Sequence, residues 1–179
     1  VKVAELETQI KKAEKEKDVQ NLFEKNLEML LNVYFLETEY PTSFGGRIDS
    51  LGIDRDGSPV IIEYKKTQSE SIINQGLSYL KWLLDHKDSF EKLVSEKLSK
   101  LYGSPVVTWD GNIITGKFIN WDNPRVICVA ESYNKFDLDT VDILPIKVEL
   151  LTYTIYEDGI LQVESENYKK SKVLISGIT

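Results

Sequence analysis

The sequence predicts an α/β sandwich built around a mixed central β-sheet. Three observations lead there. Two β-branched runs, Val60-Ile61-Ile62-Glu63-Tyr64-Lys65 and Pro124-Arg125-Val126-Ile127-Cys128-Val129-Ala130, have the composition of buried central strands. Residues 19–33 and 69–100 carry apolar side chains at helical spacing, so helices precede and separate those strands. The 179 residues suit one substantial core and are too few for two ordinary domains.

Taken in order, residues 1–18 form a charged N-terminal helix, with Val3, Leu6, Ile10 and Ala13 as a thin apolar stripe among balanced charges. Val19, Leu22, Phe23, Leu27, Leu30 and Leu31 then predict one amphipathic helix over 19–33, with Glu24 and Glu28 one turn apart on a common face. Tyr34 to Tyr40 is short and aromatic-rich, and Pro41 to Gly46 reads as a turn. Arg47 to Ile53 follows as a strand. Asp54-Arg55-Asp56-Gly57-Ser58-Pro59 is a hairpin connection, since Asp-Gly tolerates positive φ, so two adjacent antiparallel strands result. Residues 69–100 predict two helices that break near His86 to Asp88. Residues 103–120 read as an inserted hairpin turning at Trp109-Asp110-Gly111. After the strand at 124–130 come a short helix, Phe136 to Leu144, and a last hairpin, Val148 to Tyr156 with Ile160 to Glu164. The main domain is placed at 19–168 and a C-terminal tail at 169–179.

Composition excludes several chemistries. Twenty-two Lys and Arg against 29 Asp and Glu leave a net charge of −7, which rules out binding nucleic acid through bulk positive charge. One Cys and one His remove a disulfide framework, a Cys-based zinc site and a two-His metal motif. No apolar run reaches the roughly 18 residues of a membrane span, and no signal-peptide core opens the chain, so a cytoplasmic protein without membrane contact is expected. Val1 in place of Met suggests a fragment or a processed end. Carboxylates, Lys, Tyr or backbone must therefore carry any chemistry.

One constellation can do so. Asp49 lies in the first strand of the central hairpin, Glu63 in the second, and Lys65 two residues beyond. A hairpin of this length can bring Asp49 beside Glu63, and the period of two puts Glu63 and Lys65 on one face while Ile62 and Tyr64 face the core. Two readings fit the pattern. In one, Glu63 and Lys65 are rim residues of an exposed sheet face, paired with solvent or each other. In the other, Asp49, Glu63 and a backbone carbonyl hold Mg²⁺ or Mn²⁺, and Lys65 sits near a metal-bound water. Such an ion polarises a phosphoryl oxygen and activates water, while Lys65 stabilises charge developing on phosphate.

The segment Gly45-Gly46-Arg47-Ile48-Asp49, followed by Glu63-Tyr64-Lys65, resembles the PD-(D/E)xK nuclease superfamily, and in particular its RecB-like and archaeal mismatch-endonuclease-like branch. Gln75 and Tyr79 match the Gln-x3-Tyr signature of the helix after the catalytic strand, and the helix containing Glu24 and Glu28 matches the one that supplies a further metal-associated Glu. The resemblance spans about residues 20 to 95 and is similar also to uncharacterised bacterial proteins with a Gly-Gly-Arg-Ile-Asp…Glu-Tyr-Lys core. It implies a restriction-endonuclease-like three-layer sandwich and a Mg²⁺- or Mn²⁺-dependent endonuclease or exonuclease acting on DNA, in repair or defence. RNA stays open as a substrate. The implied metal ligands are Asp49, Glu63, the backbone carbonyl of Tyr64, and Glu24, preferred over Glu28. Lys65 and Gln75 join the catalytic set, and Arg47, Lys66, Tyr79 and Lys81 form the nucleic-acid-facing rim.

Each of these residues also has a plain structural reading. Arg47 can pair with acidic neighbours, Lys66 and Lys81 can sit on a solvated face, and Gln75 and Tyr79 can be ordinary surface and core. His86 is expected at a helix end, Cys128 as a small buried hydrophobe, Trp82 in the core, and Trp109 as the better candidate for stacking on bases. Two alternatives to a nuclease follow: a catalytically silent nuclease-fold module that binds nucleic acid or a protein, and an interaction role through the N-terminal helix, with a homodimer possible. The bacterial proteins with the same core often carry a separate C-terminal domain, which this chain would lack.

Overall fold

The computed structural model describes residues 16–65, 71–156, 160–167 and 172–175. The expectation for the N-terminal helix at 1–18 falls almost wholly outside these residues, as does Lys66. Three strands, β1 (Val33–Pro41), β2 (Arg47–Asp54) and β3 (Pro59–Tyr64), form an antiparallel meander. The β2–β3 turn closes where Asp54 Oδ1 accepts the N–H groups of Asp56 and Ser58, each at 2.9 Å. Gly57 in that turn takes φ +78°, which costs a residue without Cβ little.

From β3 the sheet turns parallel. It pairs with β6 (Arg125–Ala130), and β6 pairs in parallel with β7 (Lys147–Ile155); with β8 (Leu161–Ser165) and β9 (Lys172–Ile175) added antiparallel, the order is β1-β2-β3-β6-β7-β8-β9. Parallel pairs need long crossovers, and these carry the helices. Between β3 and β6 run α3 (Ile72–Leu84), α4 (Lys87–Tyr102) and a small separate hairpin, β4 (Val106–Trp109) with β5 (Asn112–Thr115). Between β6 and β7 runs α5 (Lys135–Ile143), started by a reciprocal cap in which Asn134 Oδ1 accepts from Asp137 N and Asp137 Oδ2 accepts from Asn134 N.

Strand alternation divides the core between the two faces of the sheet. Leu51, Ile61, Val126 and Leu150 pack under Ile73, Leu80, Leu83, Phe90 and Val94 of α3 and α4. On the other face Val60, Ile62, Tyr64, Ile127 and Leu151 meet Val19, Phe23 and Leu27 of α1 (Glu16–Lys25) and α2 (Leu27–Leu31). The expected three-layer sandwich with a mixed sheet is the observed one.

Three boundaries differ from the sequence reading. The helix expected over 19–33 is broken in two, because Asn26 turns its side-chain amide onto the Leu22 carbonyl at 2.7 Å and Asn32 ends the second piece in a left-handed conformation, φ 55°. The break expected near His86 to Asp88 falls at Asp85 and His86. Within the segment read as a tail, Lys172–Ile175 forms strand β9, which pairs antiparallel with β8 (Leu161–Ser165) and so satisfies backbone groups of β8 that would otherwise form the sheet edge. Among the described residues no helix is long and apolar enough to cross a membrane.

At the end of the sheet away from Glu63, Arg125 clamps three strands. Its guanidinium forks onto Glu149 of β7 at 3.0 Å and reaches Asp54 of β2 at 3.1 Å, with side-chain exposures of 15%, 9% and 6%. Burial works against this charge, but Glu149 and Asp54 hold the guanidinium above its ordinary value. Replacing Arg125 with Met would leave Asp54 with only the Asp56 and Ser58 N–H groups and Glu149 with only Lys147, 3.4 Å away, and is expected to cost about 3 kcal/mol. Urea denaturation reads this directly, and a loss under about 1 kcal/mol would show that the clamp contributes no more than a surface ion pair.

Candidate active site

Strand β2 delivers Asp49 and strand β3 delivers Glu63. The β2–β3 register runs through Ile53↔Pro59, Gly52↔Val60, Leu51↔Ile61 and Ser50↔Ile62, so one further step sets Asp49 opposite Glu63. At that step side chains replace the main-chain ladder. Glu63 Oε2 accepts the Asp49 N–H at 2.8 Å, and Asp49 Oδ2 accepts the Tyr64 N–H at 3.0 Å. Each carboxylate is thus seated on the backbone of the other's strand, with exposures of 4% for Asp49 and 0% for Glu63. Charge-assisted bonds of this kind are what make buried carboxylates tolerable.

Helix α3 roofs this pair. Gly76 faces it so closely that a Cβ there would lie 2.6 Å from Val126 Cγ1 and 4.0 Å from Glu63 Cγ, so only glycine lets the helix approach. Gln75, its neighbour on α3, is half-buried. Tyr79, one turn on, accepts the Arg47 N–H with its hydroxyl at 3.2 Å and so clasps the start of β2. Lys65 follows directly on β3, half-buried, and its N–H donates to the Val129 carbonyl at 2.9 Å, which holds its backbone in the parallel pairing.

Tyr64 faces the opposite side, as alternation requires. Its ring meets Phe23 edge-on, and its hydroxyl lies 3.0 Å from Ser50 Oγ. Burial pushes this phenol well above its usual value; the Ser50 hydrogen bond opposes that shift, and the charges of Glu24, Asp49 and Glu63 add to it. Glu24 lies on this side too, its Oε2 accepting from Ser50 Oγ at 2.6 Å and from Gln20 Nε2 at 3.2 Å. The structure therefore does not bring Glu24 onto the face of Asp49 and Glu63. Glu28 is farther removed: the helix break at Asn26 puts it on α2, exposed, accepting from Tyr102 Oη at 3.1 Å. Among the described residues no three Asp, Glu, His or Cys side chains converge as a set that could hold a metal ion.

Of the expected rim, Arg47 is exposed beside Tyr79, and Lys81 is exposed and paired with Asp85 at 2.6 Å, which holds the Asp85 carboxyl below its usual value. His86 caps a helix end, stacked on Trp82 at 4.0 Å. Trp82 is half-buried and donates through Nε1 to Ser43 Oγ. Trp109 does not project for stacking on bases: its ring packs on Tyr34 at 3.7 Å, because the β4–β5 hairpin folds against α4 and β1. Cys128 is fully buried and sits beside Glu63 in the β3–β6 pairing; burial first, then Glu63, pushes its thiol far up. Sequence reasoning missed Gln20, Ser50 and Gly76. Their signals were present but weak: a Gln one helical turn before Glu24, a Ser directly after Asp49, and a Gly inside a helix.

The donor chemistry fits a hard divalent cation. Asp49 and Glu63 offer carboxylate oxygens and Tyr64 a backbone carbonyl, and Mg²⁺ commonly takes one or two carboxylates and completes its shell with water. No family model matches the chain. An uncharacterised protein of Haemophilus influenzae is 30% identical over 165 residues, 92% of this chain and 50% of that protein. The chain thus spans about half the length of this curated relative. Two solved structures are similar. One is the EndoMS–dsDNA2 complex, at a TM-score of 0.41 and 21% identity, covering 77% of this chain and 44% of that one. The other is a repair endonuclease from Pyrococcus abyssi, at a TM-score of 0.43 and 18% identity, covering 75% and 46%.

The close approach at Gly76 is testable. At an open helix position Gly→Ala stabilises by about 1 kcal/mol. Here Gly76→Ala is expected to destabilise by about 1–3 kcal/mol through overpacking against Val126. Chemical denaturation of the full chain decides the sign.

Proposed function

We propose that this chain is a divalent-metal-dependent nuclease that hydrolyses phosphodiester bonds of DNA. The observation that supports it best is the interlocked pair, Asp49 on β2 and Glu63 on β3, at the place where the ladder gives way to side chains, with Lys65 two residues on. The residue types at these positions are those of the PD-(D/E)xK motif that the sequence resembles. In this reading Asp49, Glu63 and the Tyr64 carbonyl hold Mg²⁺ or Mn²⁺, and Glu24 acts from behind the sheet. When bound, the ion supplies Lewis-acid polarisation of the phosphate and a more acidic water. Lys65 orients that water and stabilises charge on the phosphoryl oxygens. Gln75 and Tyr79 border the approach from α3, and Arg47, Lys66 and Lys81 are the proposed contacts to the DNA backbone.

The absence, among the described residues, of a third converging acidic side chain favours one competing reading, a nuclease-fold module that binds nucleic acid or a protein without cleaving. A cleavage panel over duplex, flap and single-stranded DNA with Mg²⁺ or Mn²⁺ separates the two. Asp49→Asn and Glu63→Gln are expected to lower cleavage by about a hundredfold or more, and EDTA to abolish it. Lys65→Ala is expected to keep metal uptake while losing about 10²–10⁴-fold in rate. DNA binding with no cleavage of any substrate by the wild-type chain would support the silent module instead.

A further inference from the structure

Gln20 is a buried amide on α1, which otherwise packs Val19 and Phe23 into the core; its exposure is 1%. Its Nε2 lies 2.8 Å from the backbone carbonyl of Asp49, 3.0 Å from Thr38 Oγ1 and 3.2 Å from Glu24 Oε2, so its two hydrogens serve three oxygens, one hydrogen being shared. Three acceptors around one nitrogen fix the amide's orientation, since the flipped form would set its oxygen against the Asp49 carbonyl and the Glu24 carboxylate. The same Glu24 oxygen accepts from Ser50 Oγ, which lies 3.0 Å from Tyr64 Oη. One hydrogen-bonded chain therefore runs behind the sheet from α1 to residues 49, 50 and 64, the positions at which the carboxylates lock β2 to β3.

That stretch of β2 has particular need of support. Beyond Ser50↔Ile62 it is tied to β3 through carboxylates. On its other side the β1 register passes from Thr38↔Ser50 to Tyr40↔Ile48 around Glu39, whose backbone is left-handed at φ 49°. A peptide rotated here would swing the Asp49 carboxylate, because the side chain rides on the same Cα.

We propose that Gln20 is a positioning residue for the Asp49–Glu63 site: it pins the Asp49 carbonyl from the far side of the sheet and so sets where the carboxylate points. This inference rests on the metal-dependent reading of that site. Outer partners of metal ligands typically govern metal affinity by about 10–100-fold, and a buried amide earns its place only through its bonds.

The test is isothermal titration of Mn²⁺ into the full chain, with cleavage kinetics alongside. Gln20→Leu removes the amide; Gln20→Met keeps the side-chain length and removes the donor without adding charge beside Glu24, which covers the case in which Gln20→Leu fails to fold. Both are expected to weaken Mn²⁺ binding by about 10–100-fold. Turnover should fall with them while KM for DNA stays within about twofold. Val19→Ala, a neighbouring core change on α1, is expected to lower the thermal midpoint and leave Mn²⁺ affinity in place. Wild-type-like Mn²⁺ affinity in the Gln20 variants, or an equal loss in Val19→Ala, overturns the positioning role alone. Failure of the wild-type chain to take up Mn²⁺ even with DNA present overturns the metal reading, and this inference with it.

Discussion

Two carboxylates that each accept a backbone N–H from the opposite strand hold the centre of this molecule. Glu63 takes the Asp49 N–H and Asp49 takes the Tyr64 N–H, so the β2–β3 pairing continues through side chains where the ladder ends. Neither residue can leave without freeing a buried donor on the neighbouring strand, a cost of about 1–3 kcal/mol for each donor left unmade. Such a lock also places four oxygens of one chemical type at one spot, under the helix that Gly76 allows to come near. In the proposed reading, the geometry that the sheet needs for its own pairing is also the geometry offered to a hard cation.

Charge is what would draw a cation to that spot in the proposed reading. Burial disfavours ionised carboxylates, and two of them side by side disfavour each other. Backbone N–H groups offset part of this, and a divalent ion offsets more. The net charge of −7 then has a narrower meaning than it first suggests. Asp49 and Glu63 supply two of those charges at the proposed point of phosphate approach, and residues 131–179 hold nine acidic against five basic side chains well along the chain from the Asp49–Lys65 segment. In the proposed reading, DNA meets this protein through a bridging metal and a few cations such as Arg47, with weak affinity in EDTA and marked salt sensitivity with metal.

The sheet is thin enough for both of its faces to act on the lock. Above, α3 approaches through Gly76, and Tyr79 clasps Arg47. Below, α1 reaches through with Gln20 while hydrogen bonds join Glu24, Ser50 and Tyr64 in a row. Glu24 thus has a structural role visible in its contacts, whatever part it plays toward a metal. Helix α1 is anchored in turn by Phe23 against Tyr64.

The order of helices and strands and the central hairpin that sets Asp49 opposite Glu63 were legible in the amino-acid sequence, because alternation and helical periodicity are local properties that residue types display directly. The period of two also set Tyr64 on the face opposite Glu63. Tertiary packing alone set where the helix carboxylates turn. Glu24 and Glu28 share a face on an unbroken helix, but the Asn26 side chain interrupts that helix, and Glu24 turns to Ser50 across a sheet whose position no local pattern encodes. It likewise decided that Trp109 packs on Tyr34, that residues 172–175 join the sheet, and that Gln20 touches Asp49. Each of these depends on contacts between segments far apart in the chain, where periodicity carries no information and only the packed geometry selects the partner.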